Sequence, residues 1–379
     1  MSQDPQLSHR FPTAFPRPAR RPVGGRLPLS FSNNLERINT KPMRHLMNTA
    51  FPLFATLLLA FLTTDARGAG VRLETYQYPF PVEMFAFEGQ RQQLEMAFMD
   101  LAPEGEAKGA IVLLHGKNFS GAYWEETAKA LAAAGYRVVM PDQIGFGKSS
   151  KPEHYQFSFA QLAANTHSLL QSLKIEKAFI LGHSMGGMLA TRYALLYPEE
   201  TAGLILENPI GLEDWVAKGV PYTTIDEMYR QELGKTPEKI QQYQLKSYYD
   251  GAWRPAYDQW VALLANFIES PDYPRMAWNQ ALTYDMIVTQ PVYYEFGDIA
   301  VPALLIIGQR DRTAIGRSSA PPQVAKTLGH YPELGRQADA AIPDSKLVEI
   351  DGIGHLPHIE AFPRFIAPVV EFLTQHGEH

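Results

Sequence analysis

The feature that most constrains this chain is a series of short, almost wholly apolar runs separated by stretches of helix length. Ala110–Leu114, Arg137–Met140, Ala178–Leu181, Leu204–Leu206, Ala303–Ile307 and Lys346–Ile350 read as strands. Tyr123–Ala134, Phe159–Leu173, Met185–Leu196 and Phe362–Leu373 read as helices. A strand that is apolar on both sides must be covered on both sides, and strands alternating with helices are joined by crossovers. The pattern therefore predicts an α/β fold with a mostly parallel sheet and helices on both faces. Ahead of it, Val71–Tyr78, Met84–Glu88 and Leu94–Leu101 show partial alternation and predict three short strands with an antiparallel start. With 379 residues, 45% of them apolar, the chain has enough material for one large core.

One stretch breaks the alternation. From Gly211 to Phe296 there is no strong strand, and helical patterns with Pro breaks dominate. It holds four of the five Trp (Trp215, Trp253, Trp260, Trp278) and ten of the 18 Tyr. An aromatic-rich insertion between two strands predicts a helical cap over a pocket, although most such side chains pack a segment's own core. The expected organisation is a first core part at 67–209, a cap at 210–298 and a second core part at 299–379.

The front of the chain differs in charge. Residues 1–66 carry eight basic side chains (Arg10, Arg17, Arg20, Arg21, Arg26, Arg37, Lys41, Arg44) against Asp4, Glu36 and Asp65. That front is +5, and the remainder is −11 within a total of −6. An acidic body argues against nucleic acid as a partner. Residues 1–42 include a Pro/Arg-rich tract with little to bury and are read as disordered or as an over-extended reading frame. Met43–Met47 is a small positive region, Ala50–Leu62 a mostly apolar run, and Thr63–Ala66 a stretch of small residues. The run is shorter than the about 20 residues that span a bilayer, so 43–66 is read as a secretory signal peptide beginning at Met43 or Met47. An uncleaved anchor is the alternative. A periplasmic or secreted protein is expected, touching membrane only through that transient segment. Without cysteine the chain has no disulfide framework and no thiol nucleophile.

The chemistry concentrates at strand ends. Gly182-His183-Ser184-Met185-Gly186-Gly187 follows an apolar strand and opens a helix, which is G-x-S-x-G in the strand-to-helix context that exposes a nucleophilic hydroxyl. With this motif the sequence resembles the α/β-hydrolase superfamily, over roughly residues 71–376. The expected fold is accordingly the α/β-hydrolase fold with an inserted helical cap. The resemblance implies an oxyanion loop at His115-Gly116-Lys117, after Leu114. The backbone N–H groups of Lys117 and Met185 would be its donors, with Asn118 adding a side-chain donor and His115 shaping the loop. It implies an acid at Asp311, after Ile306-Ile307-Gly308, and a base at His355 within Gly354-His355-Leu356-Pro357-His358-Ile359-Glu360. Ser184, Asp311 and His355 occur in the order this fold requires. Glu207, at its own strand end, is the runner-up acid. The interval from Asp311 to His355 is long, and Ser318–Pro343 is read as a surface excursion.

Two other patterns carry less. Gly145-Phe146-Gly147-Lys148-Ser149 contains Gly-Lys-Ser, but Asp142 stands where a Walker loop needs Gly, so no phosphate site is expected. His355 and His358 lack a third ligand at metal spacing. The expected activity is serine hydrolysis of a carboxylic ester of a small, largely apolar molecule, with no cofactor and no metal. Relatives with epoxide-hydrolase or dehalogenase activity use Asp as nucleophile, so Ser184 points away from them. A carbon–carbon bond hydrolase of the same fold is the alternative, and a non-catalytic binding protein a weaker one.

Overall fold

The structure, a computed structural model, describes residues 70–377. The readings of 1–42 and of a signal peptide at 43–66 lie outside the described residues. Eight strands form one sheet: β1 Glu83–Gly89, β2 Gln92–Leu101, β3 Ala110–Leu114, β4 Arg137–Pro141, β5 Ala178–His183, β6 Thr201–Glu207, β7 Ala303–Gly308 and β8 Ser345–Ile350. Their spatial order is β1-β2-β4-β3-β5-β6-β7-β8. The β1/β2 and β2/β4 pairs are antiparallel, and all the others are parallel. The mostly parallel sheet with an antiparallel start is thus present.

The helices in chain order are α1 Glu125–Ala133, α2 Phe159–Ser172, α3 Met185–Leu196, α4 Ile225–Leu233, α5 Pro237–Ser247, α6 Asp258–Ile268, α7 Tyr273–Thr289, α8 Pro322–Ala325, α9 Tyr331–Ala341, α10 Pro357–Glu360 and α11 Phe362–His376. The two-residue period of the central strands divides them between two cores. Val112, Leu114, Ile180, Leu204, Leu206, Leu305 and Ile307 face one side, against α2, α3 and α9. Ile111, Leu113, Phe179, Leu181, Ile205, Leu304 and Ile306 face the other, against α1 and α11. A strand buried on both faces must be apolar at every position, which is why these runs stand out in the sequence.

Two sequence readings are corrected. Val71–Tyr78 is not a strand. It forms turns, with Leu73 N–H donating to Gly70 O at 3.3 Å, Tyr76 N–H donating to Leu73 O at 3.1 Å, and Leu73 at a positive φ of 50°. Its apolar residues point elsewhere: Leu73 is buried against Leu263 and Phe267 of α6 and Met276 of α7. The second correction concerns Ser318–Pro343, which is not merely a surface excursion. It contains α9, the crossover that parallel β7 and β8 require, with Tyr331, Leu334 and Ala338 buried at helical spacing. Two residues that read as breakers belong to that helix. Pro332 lies in its first turn, where a missing N–H costs nothing. Gly335 lets it approach β7, since a Cβ there would lie 2.9 Å from Ile307 Cγ1.

Between β6 and β7 the chain inserts α4 to α7, and no strand falls among them. The start of α4 carries a capping box between Thr224 and Glu227, and Thr236 caps α5. Trp215 and Trp260 are buried in the two cores, so those aromatics are packing residues.

Candidate active site

Ser184 joins β5 to α3 at φ 58° and ψ −120°, a region that non-Gly residues avoid at a cost. The neighbours make the turn possible. A Cβ on Gly182 would lie 2.0 Å from Gly186 O, and one on Gly186 would lie 2.1 Å from Leu114 O. Only glycine fits where three stretches of backbone meet. The elbow is also pinned by hydrogen bonds: Ser184 N–H donates to Glu207 O at 3.2 Å, and Ser184 O accepts from Gly187 and Ile210.

The three residues implied as a triad come together from three strand ends. Ser184 Oγ lies 3.0 Å from His355 Nε2, and His355 Nδ1 lies 2.6 Å from Asp311 Oδ2. His355 and Asp311 are fully buried. Asp311 is held as an acceptor on both oxygens: Asn208 Nδ2 donates to Oδ2 at 2.8 Å and Thr313 N–H to Oδ1 at 2.7 Å. Asn208 in turn accepts from Gly308 N–H at 2.9 Å, which ties β6 to the end of β7. Asn208 was not legible from sequence; no pattern marks it. An unprotonated carboxylate facing Nδ1 fixes the imidazole with its proton on Nδ1, leaving Nε2 to accept from the serine.

The loop after β3 reaches the same point. A Cβ on Gly116 would lie 3.1 Å from Ser184 Cβ, so Lys117, the next residue, starts beside the elbow, and Met185 supplies the first N–H of α3. His115 is fully buried, with Nδ1 2.9 Å from Gly116 O and Nε2 accepting from Gln143 N–H at 3.0 Å. Burial lowers its pKa, and its two nitrogens bond Gly116 of the same loop and Gln143 of the turn after β4.

The side chains of this loop end on the inserted helices. Lys117 Nζ donates to Gln280 Oε1 of α7 at 2.7 Å and faces Glu232 Oε1 of α4 at 3.4 Å. Burial lowers the Lys117 pKa to about 8, against the pull of Glu232. Asn118 Nδ2 donates to the Tyr248 hydroxyl at 2.9 Å. Tyr248, at the end of α5, also accepts from His355 N–H through its carbonyl at 3.1 Å. Its ring stacks on the imidazole, with centroids 4.7 Å apart and planes at 23°. Sequence reasoning singled out none of Tyr248, Gln280 and Glu232.

Behind the elbow runs a chain of hydrogen bonds with a defined direction. His183 Nε2 donates to His355 O at 2.8 Å, because a carbonyl can only accept. Burial holds the His183 pKa well below the ordinary value, so the ring is neutral and Nδ1 accepts. Tyr123 hydroxyl donates to that Nδ1 at 3.0 Å and accepts from Gly116 N–H at 3.0 Å. Three site loops, at 116, 183 and 355, are thereby joined.

Two alternatives are assigned elsewhere. Glu207, the runner-up acid, accepts from His358 N–H and Nδ1, both at 2.8 Å, and does not face His355. The Gly-Lys-Ser loop is folded on Asp142, which accepts from Lys148 N–H, Gly121 N–H and the Tyr78 hydroxyl.

A family model described as alpha/beta hydrolase fold matches residues 109–362. The chain is 51% identical to a probable hydrolytic enzyme of known structure from Pseudomonas aeruginosa PAO1, covering 81% of this chain and 99% of that one with a TM-score of 0.80. It is 37% identical over 105 residues to epoxide hydrolase B of Mycobacterium tuberculosis, covering 27% of this chain and spanning only 30% of that protein's length. It is 26% identical to the 2-hydroxy-6-oxononadienedioate/2-hydroxy-6-oxononatrienedioate hydrolase of Comamonas testosteroni, over 72% of this chain and 89% of that one.

Proposed function

Because the chain belongs to the alpha/beta hydrolase family, we propose that it is a serine hydrolase that cleaves carboxylic esters of small, largely apolar molecules. One observation carries this reading: the unbroken line from Ser184 Oγ through the His355 imidazole to Asp311, at 3.0 Å and 2.6 Å. Ser184 attacks the ester carbonyl while His355 Nε2 takes its proton, and Asp311 stabilises the imidazolium. The carbonyl oxygen becomes an oxyanion facing the N–H groups of Lys117 and Met185, each worth about 3 kcal/mol. The tetrahedral intermediate collapses, His355 protonates the departing alkoxide, and an acyl-enzyme remains. Water, deprotonated by the same imidazole, then releases the acid and restores Ser184.

The helices of 210–298 act as a cap that admits monomeric esters. The segment 43–66 directs export and is removed, so mature protein from the periplasm begins near Arg67; N-terminal sequencing that returns Met1 from cytoplasm contradicts export. A second reading, hydrolysis of a carbon–carbon bond in a vinylogous diketone, draws support from the resemblance to the Comamonas testosteroni hydrolase.

The test has two arms. A fluorophosphonate probe labels the wild-type protein once, on the Ser184 peptide, and Ser184→Ala abolishes labelling. A series of p-nitrophenyl esters gives kcat/KM that rises with acyl length and then falls as the pocket fills, each buried CH₂ adding up to about 0.8 kcal/mol. Turnover of a vinylogous diketone with no ester turnover favours the second reading. Labelling that persists in Ser184→Ala overturns both.

A further inference from the structure

We propose that Tyr248 is a positioning residue through which the inserted helices act on the catalytic base. The face of its ring stabilises the imidazolium of His355, and its hydroxyl holds the oxyanion loop. The proposal rests on the reading of Ser184, His355 and Asp311 as a triad.

Tyr248 meets the site in three independent ways. Its ring lies nearly parallel to the His355 imidazole, with centroids 4.7 Å apart. Its carbonyl accepts from His355 N–H and sits so close to Gly354 that a Cβ there would lie 1.8 Å from it. Its hydroxyl accepts from Asn118, in the loop beside Ser184. Asn118 and His355 belong to different loops, and Tyr248 touches both. Tyr248 is 4% exposed, and its ring packs against Tyr243 and Phe119. It cannot swing away without opening the site.

The electrostatics follow from the geometry. An aromatic face is negative, and a cation over it is stabilised, more strongly where water is excluded. His355 becomes such a cation each time it takes the Ser184 proton. The groups in contact with its ring are Asp311 at Nδ1, Ser184 at Nε2, His183 with centroids 4.7 Å apart, and Tyr331 from α9 at 6.5 Å. Beside its loop, Glu360 accepts from Gly354 N–H at 3.0 Å, with its pKa raised by burial to about 7, and it stays the same in every variant at 248. Burial keeps His183 neutral and raises the Tyr331 pKa well above the ordinary value, so neither brings charge. Asp311 is the anion that holds the ring from its edge. Tyr248 is the partner that covers its face.

The experiment uses the full chain and the p-nitrophenyl ester that it turns over best, with kcat/KM followed against pH. Tyr248→Phe keeps the ring and removes the hydroxyl: kcat falls about two- to tenfold, and the acid limb of the profile stays in place. Phenylalanines carrying one, two and then more ring fluorines at position 248 keep the shape and drain charge from the face. They move the acid limb stepwise to lower pH, by a total of about half a unit to one unit, because an imidazolium that is less stabilised loses its proton sooner. Tyr248→Leu moves it as far, with a larger fall in kcat than in KM. The fluorinated series preserves packing, so the result stands even where the leucine variant fails to fold. An acid limb that stays fixed across the fluorinated series overturns the proposal, provided Ser184→Ala is inactive. If Ser184→Ala remains active, it is the triad reading that has failed.

Discussion

The two sides of the active site are built from different materials. On one side Ser184, Asp311 and His355 stand just past the ends of β5, β7 and β8, and backbone hydrogen bonds hold the turns that carry the first two: Ser184 to Glu207 of β6, Asp311 to Gly308, and Arg310 to Ile353. On the other side Glu232, Tyr248 and Gln280 come from the inserted helices and engage the site mainly through side chains. The backbone of the sheet sets where Ser184 and Asp311 lie. The insertion adds side-chain contacts that substitutions can remove one at a time. Bond-making geometry and its modulation are thus separable in this molecule, and the separation can be measured.

The largest effect is expected on the strand side. Gly182→Ala puts a methyl group 2.0 Å from Gly186 O, a backbone atom with no rotamer to escape into. Stability falls by about 3 kcal/mol and activity is lost with it, as urea unfolding and ester turnover would register together. A folded, active Gly182→Ala protein would break the contrast at its strongest point.

An intermediate effect belongs to the tether between the two sides. Lys117→Met removes the link to Gln280 and Glu232 but leaves Glu232 paired with Lys235. The expected result is a fall in kcat of about tenfold with the fold intact, since a hydrogen bond to a charged group contributes about 1.5 kcal/mol. The same pair of proteins sharpens the comparison through pH. Between about pH 8 and the ordinary lysine value of 10.5, the unfolded chain holds a proton on Lys117 that the folded chain has released. Folding then releases a proton, so raising the pH favours it. Wild-type stability measured against Lys117→Met therefore improves through that window and is flat below it. A difference that does not change with pH would show that burial of Lys117 imposes no charge penalty.

The smallest effect is local to the insertion. Thr224→Ala removes the capping box of α4 and costs about 1 kcal/mol in thermal unfolding, with ester turnover changed less than twofold. A large loss of activity from this change would mean that the insertion has no slack.

This contrast also explains what the sequence made legible. A strand covered on both faces is a solid apolar run, and the residues that follow such runs next to glycine are legible as site candidates from the sequence. The partners of those residues are not. Asn118 and Tyr248 are 130 positions apart, and Asn208 and Asp311 are 103 apart. Nothing local marks a tyrosine as the one that will lie against an imidazole. The same limit explains the strand reading of Val71–Tyr78, whose partial alternation serves burial against α6 and α7, and the reading of Ser318–Pro343 as a surface excursion, since Pro332 and Gly335 of α9 look like breaks until their neighbours are known.

The directed chain from Gly116 through Tyr123 and His183 ends on the carbonyl of His355 and not on its ring. A carbonyl has no proton to pass on and no means of taking one from the imidazole beside it. Toward His183 the His355 ring is therefore insulated, and its interior side-chain hydrogen bond is to the Asp311 carboxylate at Nδ1. A proton collected at Nε2 has no leak into the buried histidines at 183, 358 and 115, however close they lie. In the ester hydrolysis proposed above, the proton taken at Nε2 is handed on from that same nitrogen to the departing alkoxide. The wiring behind the elbow is a dead end for protons, because it meets His355 at the backbone and not at the ring.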